Sequence, residues 1–374
     1  MSDPVRYHLG GFPPARIDWA RLVPLIGTAN AALARFDGLL AAIPNATVLL
    51  SPLTTQEAVL SSKIEGTTVT MGEVLEIEAG GDGEGVTQPK RDEAEEIRNY
   101  RTALTFAAKA LEDRPLSPHL LREAHALLMD GVRGRDKNPG SFRTEQNWIG
   151  ARGCAIEQAS FVPIPQEHLL AGIETWAAYV QSQDPLDPLV QLAIIHLEFE
   201  ALHPFKDGNG RLGRMILPLF LFQRGILSGP NFYMSDYLER RREDYVEALR
   251  AVSRDGAWTD WCAFFLQGLV EQAQENQRKA QAILDVYQRM LLDTPELTHS
   301  QHAGRAVEFL FSRPVFASPH FIESSGIPKP TAQRILSLLR KAGVLRPIRK
   351  GSGRRPTIYA FPMLLNIAEG RDVL

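Results

Sequence analysis

Apolar positions recur along most of this chain at helical spacing. Residues 20–43 and 52–64 repeat them at three- and four-residue intervals, which puts one stripe of side chains on one face and predicts two helices. The second run opens with Ser51-Pro52 and Thr54-x-x-Glu57, residue types that satisfy the free N–H groups of a helix start, and Gly66 supplies a stop. GGDGEG at 80–85 reads as a surface loop, after which helical spacing resumes over 90–111 and 117–130. From Arg133 to Pro165 the periodicity lapses: Gly, Pro, Asn and aromatic residues alternate, and ASFVPIP (159–165) reads as a short strand. Segments of that kind in compact domains commonly serve as lids or binding loops. Helices are expected again over 166–182, 187–202, 210–225, 239–254 and 258–292.

The last part has a different pattern. Residues 303–312, 318–325 and 330–342 read as three short helices, and VLRPI and PTIYAF as two strands joined by the basic turn RKGSGRR. That is the outline of a winged helix-turn-helix.

Composition narrows the class. A chain of 374 residues exceeds what one hydrophobic core usually covers, and 44% apolar with 23% charged residues is ordinary for a globular protein. The N-terminus lacks a basic segment followed by an apolar one, and no apolar run approaches a bilayer span, so a cytoplasmic location without a membrane partner is expected. Two cysteines, Cys154 and Cys262, are too few for a disulfide framework or a thiolate zinc site. A net charge of −3 argues against a chain that coats nucleic acid, yet residues 329–355 carry nine basic side chains and no acidic one.

HPFKDGNGRLGR, residues 203–214, concentrates the chemistry. Pro204 ends the preceding apolar helix, which sets His203 at a helix-to-loop junction. Gly208-Asn209-Gly210 then feeds a new helix whose unpaired N–H groups converge on one spot, as anion-binding sites require. Arg211 and Arg214 extend from that first turn and would repel each other unless a polyanion joined them. A nucleotide polyphosphate would do so, with Asp207 as a hard oxygen ligand for Mg²⁺ and His203 as a base. A zinc alternative, with His196, Glu200 and His203 on one helical stripe, lacks the HExxH pattern and leaves the glycines and arginines unused.

The motif resembles HPFx[DE]GN[GK]RxxR, the signature of the Fic family, at every position from His203 to Arg214. KNPGSFRTEQNWIG (137–150) and FVPIP (161–165) resemble the family's flap, and YMSDYLERRREDY (233–245) its downstream segment. The resemblance covers roughly residues 50–265 and implies a mainly α fold: a Fic-type helical bundle with a short β-hairpin flap. The expected division is an N-terminal helical region (1–112), a Fic catalytic core (113–268), a helical linker (269–300) and the winged helix-turn-helix (301–374). The implied activity is transfer of AMP from ATP to a Ser, Thr or Tyr hydroxyl of a target protein, the protein itself included. His203 would be the base and Asp207 the Mg²⁺ ligand. Gly208, Asn209 and Gly210 would form the anion nest, with Gly213 in the same ATP site, while Arg211 and Arg214 would hold the β- and γ-phosphates. Arg241 stands where the family often has an asparagine near the adenine, which leaves base preference open. Gly210 and Arg214 separate the chain from a kinase-like branch that carries lysine at the first position and lacks the second. The flap is expected to offer an exposed strand edge to an extended target segment.

LSSKIEGTT (60–68) resembles the family's inhibitory motif [ST]xxxE[GN], here Ser61, Glu65 and Gly66. The resemblance implies that Glu65 pairs with Arg214 and blocks the γ-phosphate; in some members the same glutamate helps to reverse the modification. Because the motif lies upstream of the core, the inhibition would be intramolecular. The rival class is a nucleotide-sensing transcriptional regulator that binds DNA through residues 329–355, with Thr331, Gln333 and Arg334 near base edges. A homodimer is compatible with both.

Overall fold

In a computed structural model, residues 3–43, 45–80, 86–131, 135–151, 153–183, 187–352 and 355–374 are described. Arg354 and residues 81–85 of the expected surface loop lie outside them. The helices are α1 (Trp19–Ala42), α2 (Ala46–Leu49), α3 (Ser51–Ile64), α4 (Met71–Glu78), α5 (Gln88–Ala110), α6 (Pro118–Leu128), α7 (Leu169–Gln181), α8 (Pro188–Leu202), α9 (Asn209–Gln223), α10 (Ser235–Arg240), α11 (Arg242–Asp255), α12 (Trp258–Thr298), α13 (Ala303–Ser312), α14 (Ser318–Ser324), α15 (Lys329–Lys341) and α16 (Pro362–Glu369). The short strands among the described residues are β1 (Val5–Arg6), β2 (Phe161–Val162), β3 (Val315–Ala317), β4 (Arg346–Arg349) and β5 (Ile358–Ala360). The fold is mainly α, as expected.

Two compact units interleave along the sequence: residues 1–37, 60–66 and 98–274 form one, and 38–59, 67–97 and 275–374 the other. In the first, α8 is the central element. From Leu189 to Leu202 every residue except Glu200 is buried, because the helix is apolar on all sides and must be enclosed by others. Asp187 caps its start, accepting the N–H groups of Leu189 and Val190. Helix α9 is equally enclosed from Asn209 to Leu221 and packs on α8, with α7 against α8 and α6 against α9.

The flap forms around β2, which bridges antiparallel to Ile149. One edge of β2 is occupied by the chain itself: Val5 and Arg6 of β1 pair with Phe161 and Val162 in parallel register. Buried Glu198 anchors this N-terminal segment, accepting from the Tyr7 hydroxyl at 2.7 Å and meeting His8 Nε2 at 2.9 Å. A two-residue strand is too short for apolar alternation to show, so periodicity carries no sign of this pairing.

In the second unit, α13, α14, α15 and the β4–β5 hairpin fall where three helices and two strands were expected, and β3 adds a third strand in the order β3-β5-β4. Helix α4, which the apolar spacing did not reveal, starts at a capping box in which Thr70 and Glu73 satisfy each other's backbone N–H groups. Glu76 on that helix pairs with Arg349 of β4 at 2.6 Å. By contrast, Thr54 and Glu57 lie inside α3 rather than at its start.

Candidate functional site

The loop between α8 and α9 carries the chemistry. His203 follows the last residue of α8 in the left-handed conformation, with φ 46° and ψ 61°, and so stands at the junction that Pro204 predicted. Gly208, at φ 75°, precedes the first residue of α9 in the same region, where glycine carries no Cβ penalty. The N–H groups of Asn209 and Gly210 fall in the first turn of α9, where no preceding helical carbonyl lines up to accept them, the arrangement that an anion nest would use. The Asn209 side chain stiffens that nest by bonding both the N–H and the C=O of Phe205 at 2.8 Å.

His203, Asp207, Gly210, Arg214 and Glu65 line one cavity of about 480 Å³, large enough for a nucleotide. Burial pushes the His203 imidazole down to about 4, against the opposing pull of Glu65, so the ring is neutral at neutral pH and can accept a proton. Its Nδ1 is buried and has no hydrogen-bond partner among the described residues. The Asp207 carboxylate is half exposed, accepts the Gly208 N–H at 2.6 Å, and lies 3.6 Å from Arg211. Arg211 is buried beside it, against Met129 Sδ at 3.6 Å. It thus reaches the site through Asp207 rather than lining the cavity.

Arg214 is enclosed and tightly engaged. Its Nε donates to Ser61 Oγ at 2.9 Å, and its Nη2 donates to the Ser61 carbonyl at 2.8 Å and to Glu65 Oε1 at 2.6 Å. Burial disfavours both charges, but each offsets that cost for the other: Glu65 is held below the usual carboxylate range, and Arg214 above the usual guanidinium range. A Cβ on Gly210 would meet Glu65 Oε1 at 2.1 Å, so this position admits only glycine while the carboxylate is in place. Gly66, at φ 102°, follows the last turn of α3 as the expected stop.

Gly213 has a different role from the nest. A Cβ there would meet Glu200 Oε1 at 2.2 Å; the missing side chain makes room for a second carboxylate beside Arg214. That oxygen is enclosed without a hydrogen-bond partner among the described residues, and burial pushes Glu200 up to about 7, against the pull of Arg214. A folded pKa above the ordinary 4.5 means that the native protein keeps a proton the unfolded chain has lost. Stability is therefore greatest below the unfolded value and falls as pH rises through the folded one, by at most about 1.4 kcal/mol per pH unit. Glu200→Gln should flatten this fall, so the difference in thermal midpoint between variant and wild type should grow from pH 5 to pH 8.

His196 Nδ1 donates to the Gly213 carbonyl at 3.1 Å, its Nε2 meets the Tyr245 hydroxyl at 2.9 Å, and the ring is fully enclosed. It is a packed helix residue, and among the described residues no cluster of three or more His, Cys, Asp or Glu could hold a metal ion. Arg241 is not brought to the cavity. It stands between α10 and α11, about half exposed, paired with Glu271 at 3.4 Å and stacked over Tyr237. The next residue, Arg242, lines the cavity instead, together with Tyr245, Val246 and Leu249 of α11. Arg241 itself leaves helical geometry, at φ −114° and ψ 34°, a break between α10 and α11 that spacing alone did not reveal.

Two family models match the chain, Fic/DOC family N-terminal over residues 23–109 and Fic/DOC family over 115–221, and together they span more than half of it. The chain belongs to the Fic family. Within it, a probable protein adenylyltransferase of Aquifex aeolicus is 35% identical over 92 residues, covering 25% of this chain and 26% of its own. Protein adenylyltransferase fic-1 of Caenorhabditis briggsae is 26% identical over 169 residues, 43% of this chain and 30% of that protein. The chain thus spans about a quarter to a third of the length of these curated relatives. A crystal structure of a Fic family protein from Desulfovibrio desulfuricans G20 shares the fold, with a TM-score of 0.59 and 21% identity over 93% of this chain and 98% of the other. A Fic domain containing signaling protein from Bacteroides thetaiotaomicron follows at 0.54 and 16% identity over 68% and 97%. No helix among the described residues is long and apolar enough to cross a membrane.

Proposed function

We propose that this Fic protein is a protein adenylyltransferase, moving AMP from ATP to a hydroxyl side chain of a target protein, and that Glu65 restrains it. The observation that carries this reading is one cavity holding a neutral buried histidine, an anion nest, and an arginine already gripped by a carboxylate. His203 would take the proton of the target hydroxyl as its oxygen attacks the α-phosphorus, and the bond to the β,γ-diphosphate breaks. The nest at Asn209 and Gly210, with the guanidinium of Arg214, would bear the charge that develops on the leaving diphosphate. Asp207, a hard carboxylate at the cavity wall, fits Mg²⁺ shared with nucleotide phosphates, and the ion would supply further charge neutralisation there. The relatives named as adenylyltransferases support the same chemistry.

The proposal is tested by incubating the purified protein with Mg²⁺ and ATP labelled either on the α- or on the γ-phosphate. Label should enter protein from the α-position alone. Transfer of γ-label would instead mean phosphorylation and sink the reading.

Regulation of transcription through the C-terminal module remains the alternative proposal, with less to support it. Arg334, expected near base edges, donates to the Thr298 carbonyl at 2.7 Å, and Arg349 is paired with Glu76. Both are occupied inside their own unit.

A further inference from the structure

Arg143 is buried, with 3% of its surface exposed, and no carboxylate pairs with it among the described residues. Its guanidinium is instead surrounded by carbonyl oxygens. Nε donates to the His203 carbonyl at 3.0 Å; Nη1 donates to the Glu145 carbonyl at 3.0 Å and Gln166 Oε1 at 3.1 Å; Nη2 donates to the Ile164 carbonyl at 2.6 Å and the Leu202 carbonyl at 3.4 Å. Its own N–H donates to the Pro204 carbonyl at 2.9 Å. Burial costs enough to bring the group down to about 10, still charged at neutral pH.

The location explains the arrangement. Helix α8 ends at Leu202, and the last carbonyls of a helix lack intrahelical donors and carry partial negative charge. A planar cation with five diverging N–H groups answers several of them at once, which an ammonium cannot do. Two of the bonded carbonyls are those of Leu202 and His203, one belongs to Ile164 just past β2, and one to Glu145 on the approach to Ile149. Asn147 adds a second donor, reaching the His203 carbonyl at 3.4 Å and the Phe205 carbonyl at 3.2 Å. His203 is a non-glycine residue in the left-handed region, which persists only where its surroundings over-determine it.

We propose that Arg143 is a positioning residue that locks the backbone of His203 in its left-handed conformation and fixes both arms of the flap to it. The imidazole is thereby aimed from a rigid junction, and the base and the flap move as one piece. This rests on the reading of His203 as the base. Because the lock acts on geometry, it should govern the turnover rate rather than nucleotide affinity, and a misplacement of about 1 Å costs on the order of 100-fold.

The test uses Arg143→Lys, which keeps a charge and loses the fork, and Asn147→Ala, which withdraws the second donor. Circular dichroism melts establish folding. A histidine-selective NMR titration then follows His203, whose imidazole burial pushes down; if releasing the backbone lets the ring reach water, its midpoint should rise in Arg143→Lys. In a Glu65→Gly background, kcat for AMP transfer should fall roughly 100-fold with the KM for ATP within about twofold. Asn147→Ala should move both readouts the same way by a smaller factor. A folded Arg143→Lys whose His203 titration and kcat match the parent overturns the proposal. Should Arg143→Lys fail to fold, an unchanged Asn147→Ala overturns it. If the Glu65→Gly parent transfers no AMP, the adenylyltransferase reading fails, and the titration still decides the role of Arg143.

Discussion

Replacing Glu65 with glycine should raise AMP incorporation by roughly 10- to 100-fold, measured as initial rate with α-labelled ATP and Mg²⁺. The estimate follows from the 2.6 Å contact: a hydrogen bond between charged groups is worth about 1.5–3 kcal/mol, and each 1.4 kcal/mol is tenfold. Ser61 would still hold Arg214 through Nε and one Nη2 hydrogen, so the guanidinium stays aimed at the cavity while the Nη2 hydrogen that met Glu65 is freed for phosphate. Nucleotide affinity should rise along with the rate. Mild acid should not mimic the substitution. Since Arg214 lowers the Glu65 pKa, the contact is fully formed above the ordinary carboxylate range and is lost only as pH falls through the depressed value. Wild type at pH 5 should therefore remain as inactive as at pH 7. A Glu65→Gly variant with the wild-type rate would remove the case for inhibition.

His203→Ala in that background should lower the rate by about 10²- to 10⁴-fold, the usual range for loss of a general base. ATP binding, followed with a fluorescent analogue, should be largely retained, because the nest and Arg214 supply the phosphate contacts. Retention of activity in this variant would mean that another group accepts the proton. Glu200, which burial brings to about 7, is the group to examine next in that event.

Much of this site could be read before any coordinates. The apolar continuity of α8 and the proline after His203 located the junction, and the glycines located the nest, because both depend on backbone rules that act over a few residues. The Arg214–Glu65 pair joins positions 149 apart and came only from the resemblance to the family's inhibitory motif. Arg143 lies within the flap segment with nothing to mark its role, since the partners of its side chain lie 2 to 60 residues away and are mostly carbonyls, which sequence does not distinguish. Arg241 was placed at the nucleotide because a motif position was carried over without the break between α10 and α11. Helix α4 carried a readable signal in Thr70-x-x-Glu73, but eight residues are too few for apolar spacing to stand out.

Gly210 bears on the nature of the restraint. The Glu65 carboxylate occupies the space where even a methyl group on that glycine would have to go. On the proposed reading, phosphate and carboxylate exclude each other by volume as well as by charge. A restraint made only of Coulomb attraction would dissolve in concentrated salt, as screening shortens its reach. One made of occupied space would not, and ionic strength should leave the resting protein closed until α3 itself moves.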